Sequence, residues 1–301
     1  MRSARIKIDY QDTWHHCYNR IAGTSLDRPF RDAEKEQFVR LLKRVCLLYT
    51  VRVVSYQVMS NHFHLLVQAP VDEPSAEEAC RRFSAFHGGK RTIEPDTPVC
   101  RIWQARCRDV SWFMRHLQHL FTAWYNRTRP VRRRGSLWAD RFKNTILESG
   151  FAVWACWSYI ENNPVRAYMV QDAADYRFCS HGVWHQTGRH PFQDNMVALI
   201  MPLMNSLFGL TSLREIRDRM DFVLAGKAER ETTSTSFAVT VKRRVRHWTS
   251  GLVIGSKLYV CNVMSRHREP ESIDQHRLAP SHNATGHPLY AWRRLRVTDP
   301  V

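Results

Sequence analysis

Apolar and polar positions in the first seventy residues follow two periods. Trp14-His15-His16-Cys17-Tyr18-Asn19-Arg20 alternates in type, a period of two that predicts a strand. Beyond Asp32, which can cap a helix with Glu34 and Glu36 in its first turn, Phe38, Leu41, Leu42, Val45 and Leu48 recur at three-and-four spacing. The apolar run 51–59 predicts a second strand, and 62–67 a third after a tight turn, so the order begins strand, helix, strand, strand. Segment 69–109 carries Pro70, Pro74, Pro95, Pro98 and Gly88-Gly89. A short helix near 75–86 is admissible there, but no core element is expected. Periodicity returns with Val110, Phe113, Met114, Leu117, Leu120, Phe121 and Trp124 on one helical face. Leu137 to Lys143 opens a strand running to about Leu147. A helix then runs over roughly 151–162 and is stopped by Pro164.

The third strand carries the most suggestive chemistry. His62 and His64 are two residues apart, so both imidazoles share one face with Leu66, while Phe63, Leu65 and Val67 take the other. Two neutral imidazoles on a rigid strand could hold a divalent metal with positions left open. Two surface histidines on an amphipathic strand are an equally good reading of the pair alone. In the helix over 151–162, Tyr159 has the small residues Ala155 and Cys156 behind it and Asn162 and Asn163 ahead, which leaves its phenol open. An ordinary core tyrosine fits the same pattern.

Charge narrows the partners. The 301 residues hold 45 Lys or Arg against 28 acids, a formal charge of +17, with 44% hydrophobic and 11% aromatic residues, enough for a sizeable core. That balance points to a polyanion, most simply nucleic acid. Stretch 101–143 has eleven Lys or Arg and two acids, a local +9. Its aromatics interleave with Arg127, Arg129, Arg132, Arg133, Arg134, Arg141 and Lys143, a combination suited to stacking bases and binding phosphates of a single strand; Tyr125, beside Arg127, is suited to stacking on a base. No run is long and apolar enough to span a bilayer, and the basic N-terminus leads into Asp9-Tyr10-Gln11-Asp12 without an apolar core. No membrane partner and a cytoplasmic, nucleoid-associated location are expected. The eight cysteines form no Cys-x-x-Cys pair, so they read as reduced and mostly buried thiols.

Four motifs, in this order, resemble the REP-associated tyrosine transposases, single-tyrosine nucleases of the His-hydrophobic-His class related to insertion-sequence 200-like transposases. They are Tyr18-Asn19-Arg20, Met59 to Val67, Gly135 to Lys143 and Tyr159-Ile160-Glu161-Asn162-Asn163-Pro164-Val165-Arg166. The resemblance covers about residues 10–185. It implies an α+β fold, a ferredoxin-like (RRM-like) antiparallel sheet with helices packed on one face, followed by a C-terminal extension. It further implies a metal ion, Mg²⁺ or Mn²⁺, on His62 and His64 with Asn163 as third ligand, and Tyr159 as nucleophile. Arg20 joins the basic residues expected to touch DNA.

The expected activity is cutting and rejoining of single-stranded DNA at hairpin-forming repeats through a 5′-phosphotyrosine, by a monomer or homodimer. A DNA-binding regulator that no longer cuts, and a ferredoxin-like RNA- or DNA-binding module, are the alternatives. Residues 1–187 are expected to form the nuclease domain. Residues 188–301 are expected to form an accessory region for DNA or partner contact, a bare structural extension being equally admissible, with a polar, threonine-rich linker over 229–236.

Overall fold

In the computed structural model, residues 5–23, 28–225, 248, 251–267, 278–282 and 288–293 are described; the expected linker over 229–236 lies outside them. The chain is α+β. Strand β1 (Thr13–Arg20) is followed by helix α1 (Asp32–Leu48), and β2 (Arg52–Val58) leads through a tight turn into β3 (His62–Ala69). Helices α2 (Ala76–Phe86), α3 (Pro98–Cys107) and α4 (Val110–Arg127) precede β4 (Lys143–Leu147). These four strands lie in the order β2-β3-β1-β4 and every pairing among them is antiparallel, the arrangement of a ferredoxin-like unit.

Side-chain alternation sends the two sheet faces to different cores. Phe63, Leu65 and Val67 pack with Phe38, Leu41 and Val45 of α1 and with Phe113, Leu117 and Phe121 of α4. Helices α1 and α4 share this face, as the resemblance implies, but helices are not confined to it. The opposite face, with Trp14, Leu66 and Leu147, is covered by α5 (Phe151–Glu161), whose Val153, Trp154, Trp157 and Ile160 are buried against it. Pro164 ends α5 and also seeds the short helix α6 (Asn163–Arg166), because a proline is tolerated in a first helical turn.

After the 3₁₀ turn Ala173–Asp175 come α7 (Ser180–Thr187), α8 (Gln193–Asn195), a π turn (Met196–Ile200), α9 (Met201–Phe208) and α10 (Leu213–Leu224). Strand β5 (Gly251–Gly255) joins β4 in parallel, and β6 (Leu278–His282) and β7 (Pro288–Arg293) complete a seven-stranded sheet; α11 (Lys257–Ser265) follows β5. Ile216, Met220, Trp248 and Ile254 enter the same core as α5, so residues after Thr187 share a sheet and a core with those before it. Among the described residues, no single helix is long and apolar enough to cross a membrane. All eight cysteines are free thiols, five of them buried.

Three local expectations need correction. Helix α3 occupies the segment expected to lack a core element. Thr97 accepts from the backbone N–H of Cys100 with Pro98 in the first turn, a start signal, but the helix buries only Cys100 and Cys107 and so leaves little apolar stripe to read. Asp32 does not cap α1; Glu34 Oε2 accepts from the N–H of Arg31 at 2.9 Å, and Asp32 pairs with Arg177 instead. The strand expected from Leu137 begins at Lys143, because Leu137, Trp138 and Phe142 turn into the α4-side core as a loop.

This packing sets the cost of two truncations. Met220 on α10 is fully buried and receives the Ser158 hydroxyl of α5 at 3.7 Å, so Met220→Ala should cost about 2–5 kcal/mol in denaturant unfolding. A loss under about 0.5 kcal/mol would mean that α10 is not part of the core. Arg129 pairs with the buried Glu34 at 2.6 Å, so Arg129→Ala should destabilise by about 1–3 kcal/mol by leaving that carboxylate unpaired, while the exposed Arg132→Ala stays within about 0.5 kcal/mol.

Candidate active site

The register of β1 against β3 sets Tyr18 opposite His64 and Arg20 opposite His62, and residues opposite one another in a ladder point to the same face. His16, Tyr18, His62 and His64 therefore collect on the α5 side. His16 Nε2 lies 2.9 Å from His64 Nδ1, and the two rings stack with centroids 5.1 Å apart. Tyr18 stacks on both, at 5.5 Å from His16 and 5.6 Å from His64. His62 meets His64 at 5.1 Å, nearly perpendicular, and its Nδ1 donates to Asn61 Oδ1 at 2.7 Å. Both strand histidines thus engage Nδ1 inside the protein, which leaves Nε2 as the nitrogen available to a ligand.

Burial keeps these imidazoles neutral. It lowers His62 to about 4, helped by the charges of Arg28 and Arg20, and lowers His16 to about 4. Burial also holds His64 well below the ordinary range, with His16, His62 and Arg166 acting in the same direction. A neutral imidazole is the form that ligates a metal.

Helix α5 delivers Tyr159 to the same place. Its ring lies edge-on to His64 at 5.8 Å and to His16 at 5.9 Å, and the guanidinium of Arg166 sits 5.1 Å over it. Of the two readings its helical neighbours allow, an open phenol and a core tyrosine, the structure has the buried one. Trp248, eighty-nine positions later, stacks on it at 5.6 Å, and Tyr159 is 8% exposed. Burial pushes the phenol up to about 12, against the pull of the Arg166 charge.

Asn163, the expected third ligand, stands one turn beyond Tyr159 and half-buried at the head of α6, where its amide is directed at the Tyr159 oxygen. No hydrogen bond joins it to either strand imidazole among the described residues. Gln57, opposite His64 on β2, has both amide atoms buried and unpaired, and Asn162 Oδ1 is likewise unpaired. Two neutral imidazoles, with a carboxamide one turn beyond Tyr159, form a donor set that suits a divalent ion with open coordination positions.

The expected DNA-contacting residues divide into two groups. Lys143 reaches over the Tyr18 ring at 5.5 Å, and Arg20 lies close enough to depress His62, which puts both at the rim of the site. Arg127, Arg132, Arg134 and Arg141 are exposed. Arg133 instead holds its own loop, donating to Asn126 Oδ1 and Ser136 O, and Arg129 is committed to Glu34 and stacks over Tyr125 at 4.2 Å. Tyr125 is buried against Phe30 and Phe121 on the other side of the sheet, so it has no ring free for a base. His16 and Trp248 were not legible as site residues. His16 had a usable signal, its two-residue spacing from Tyr18 on an alternating strand.

No family model matches the sequence, and no curated protein matches it. A solved structure described as a REP-associated tyrosine transposase bound to a REP hairpin is similar to this chain at a TM-score of 0.42 and 13% identity, over 64% of this chain and 90% of that one. At that level the likeness is a partial one in the path of the chain and assigns no residue.

Proposed function

We propose that this chain is a metal-dependent, single-strand DNA endonuclease and strand transferase in which Tyr159 is the nucleophile. The observation that carries the reading is the convergence of Tyr159 with His62 and His64, brought together from a helix and a central strand about a hundred residues apart. The Tyr159 oxygen forms a bond to phosphorus as the P–O3′ bond breaks, giving a 5′-phosphotyrosine and a free 3′-hydroxyl; rejoining reverses this with a different 3′-end. His62 and His64, with Asn163, hold Mg²⁺ or Mn²⁺, which when bound neutralises charge on the scissile phosphate.

The chain's own groups do the rest. His16 orients His64 through the 2.9 Å hydrogen bond. Arg166 favours the phenolate that attack requires, and Lys143 and Arg20 provide cationic contacts for the phosphates on either side. Arg127, Arg132, Arg134 and Arg141 extend that track over the surface toward a hairpin. Residues 188–301 serve as an accessory region whose Trp248 walls the nucleophile.

One observation favours a second reading. With Trp248 stacked on it, Tyr159 is too covered for DNA to reach, so a chain held this way binds repeats without cutting.

The two are separated by incubating the protein with labelled hairpin-containing single-stranded DNA and Mn²⁺ and resolving it on a denaturing gel. Wild type should yield a covalent adduct, Tyr159→Phe none at undiminished DNA affinity, and Trp248→Ala an adduct formed at least as fast. No adduct from wild type or from Trp248→Ala leaves the binding-only reading; an adduct from Tyr159→Phe refutes the nucleophile. Arg132→Ala with Arg134→Ala should flatten the salt dependence of binding, the log-log slope falling by about 0.7 for each phosphate the protein no longer neutralises. An unchanged slope would remove this loop from the interface.

A further inference from the structure

A second cluster lies away from Tyr159, where α7 meets α10. His181 and His185 are four apart on α7 and so share one face of that helix. Asp221 of α10 faces them, its Oδ1 2.9 Å from His181 Nε2 and 2.8 Å from His185 Nε2. The imidazole rings stand 4.7 Å apart at 61°, so they converge without stacking. All three ligand atoms lie within 4.8 Å of one another. In a tetrahedral zinc site with bonds of about 2.0–2.1 Å, neighbouring ligand atoms are about 3.3 Å apart, so the two Asp221–imidazole separations need to open by only about 0.5 Å to admit the ion.

We propose that His181, His185 and Asp221 form a binding site for a zinc-class divalent cation, distinct from the His62/His64 pair and structural in role. The donor set supports the class of ion, because two imidazoles and one carboxylate suit zinc better than magnesium, which prefers oxygen ligands and its own waters. Placement supports the role. His181 is buried, and its backbone N–H donates to Glu161 Oε2 at 3.2 Å; Glu161 in turn accepts from Ser55 of β2 at 2.8 Å and Trp157 of α5 at 3.2 Å. A cation here ties α10, and through it the accessory region, to the last turn of the helix that carries Tyr159. His185 and Asp221 are partly exposed, so the ion can enter from solvent and keep a water at its fourth position. The assignment does not depend on any nuclease activity.

The full-length chain, stripped with chelator, is titrated with ZnCl₂ alone by calorimetry, and separately with Co²⁺ while its visible absorption is followed. The His62→Gln/His64→Gln double variant should still take up one zinc and give the intense d–d bands of a low-coordinate cobalt site. Adding His185→Gln or Asp221→Asn to it should weaken zinc more than about 100-fold, beyond the 10- to 100-fold that an outer partner costs, and abolish those bands. Zinc should also raise the Tm of the double variant but not of the triple ones. The proposal is overturned if the double variant binds no zinc, or if it binds zinc equally well with His185→Gln present. His185 is partly exposed, so that variant remains informative even if Asp221→Asn fails to fold.

Discussion

Everything in this molecule depends on β3 being buried on both faces while carrying histidines on one of them. The face of Phe63, Leu65 and Val67 needs only apolar partners, which α1 and α4 supply. The other face buries His64 completely, and a buried imidazole without a partner costs about 1–3 kcal/mol. The β1–β3 register meets that requirement by bringing His16 to His64 Nδ1 and Tyr18 to its ring. A slip of one residue would drive His62 and His64 into the α1–α4 core, so the pairing that completes the fold is the same pairing that builds the site.

Most of the ferredoxin-like unit was legible because its signals are local and periodic. Alternation in 14–20 and the spacing of Phe38 to Leu48 and of Val110 to Trp124 mark β1, α1 and α4, and of the side chains the resemblance names, Tyr159 and His64 lie edge-on at 5.8 Å. What failed depends on partners distant in sequence. Arg129 counted as free charge until Glu34, ninety-five residues earlier, took it. Tyr159 could be read as open because Trp248 belongs to a stretch with no evident link to α5. The parallel pairing of β5 with β4 spans about a hundred residues, and no short-range pattern announces such a pairing. Helix α3 escaped for a different reason: two buried cysteines make a poor stripe.

The two polar clusters differ in chemistry. In the proposed function, His62 and His64 hold the ion that leaves coordination positions open for a phosphate. His181, His185 and Asp221 converge between two helices, the arrangement on which the proposed structural cation site rests. Glu161, adjoining Asn162 in α5 and bonded to the His181 backbone, is the short covalent and hydrogen-bonded route between them.

The most direct test of the assembled site is anomalous diffraction from crystals of the full chain grown with Mn²⁺ and a hairpin-bearing single strand. The account predicts a manganese peak bonded to Nε2 of both His62 and His64, beside the Tyr159 hydroxyl and a DNA phosphate. Manganese absent from that position while the phosphate is bound elsewhere would contradict it.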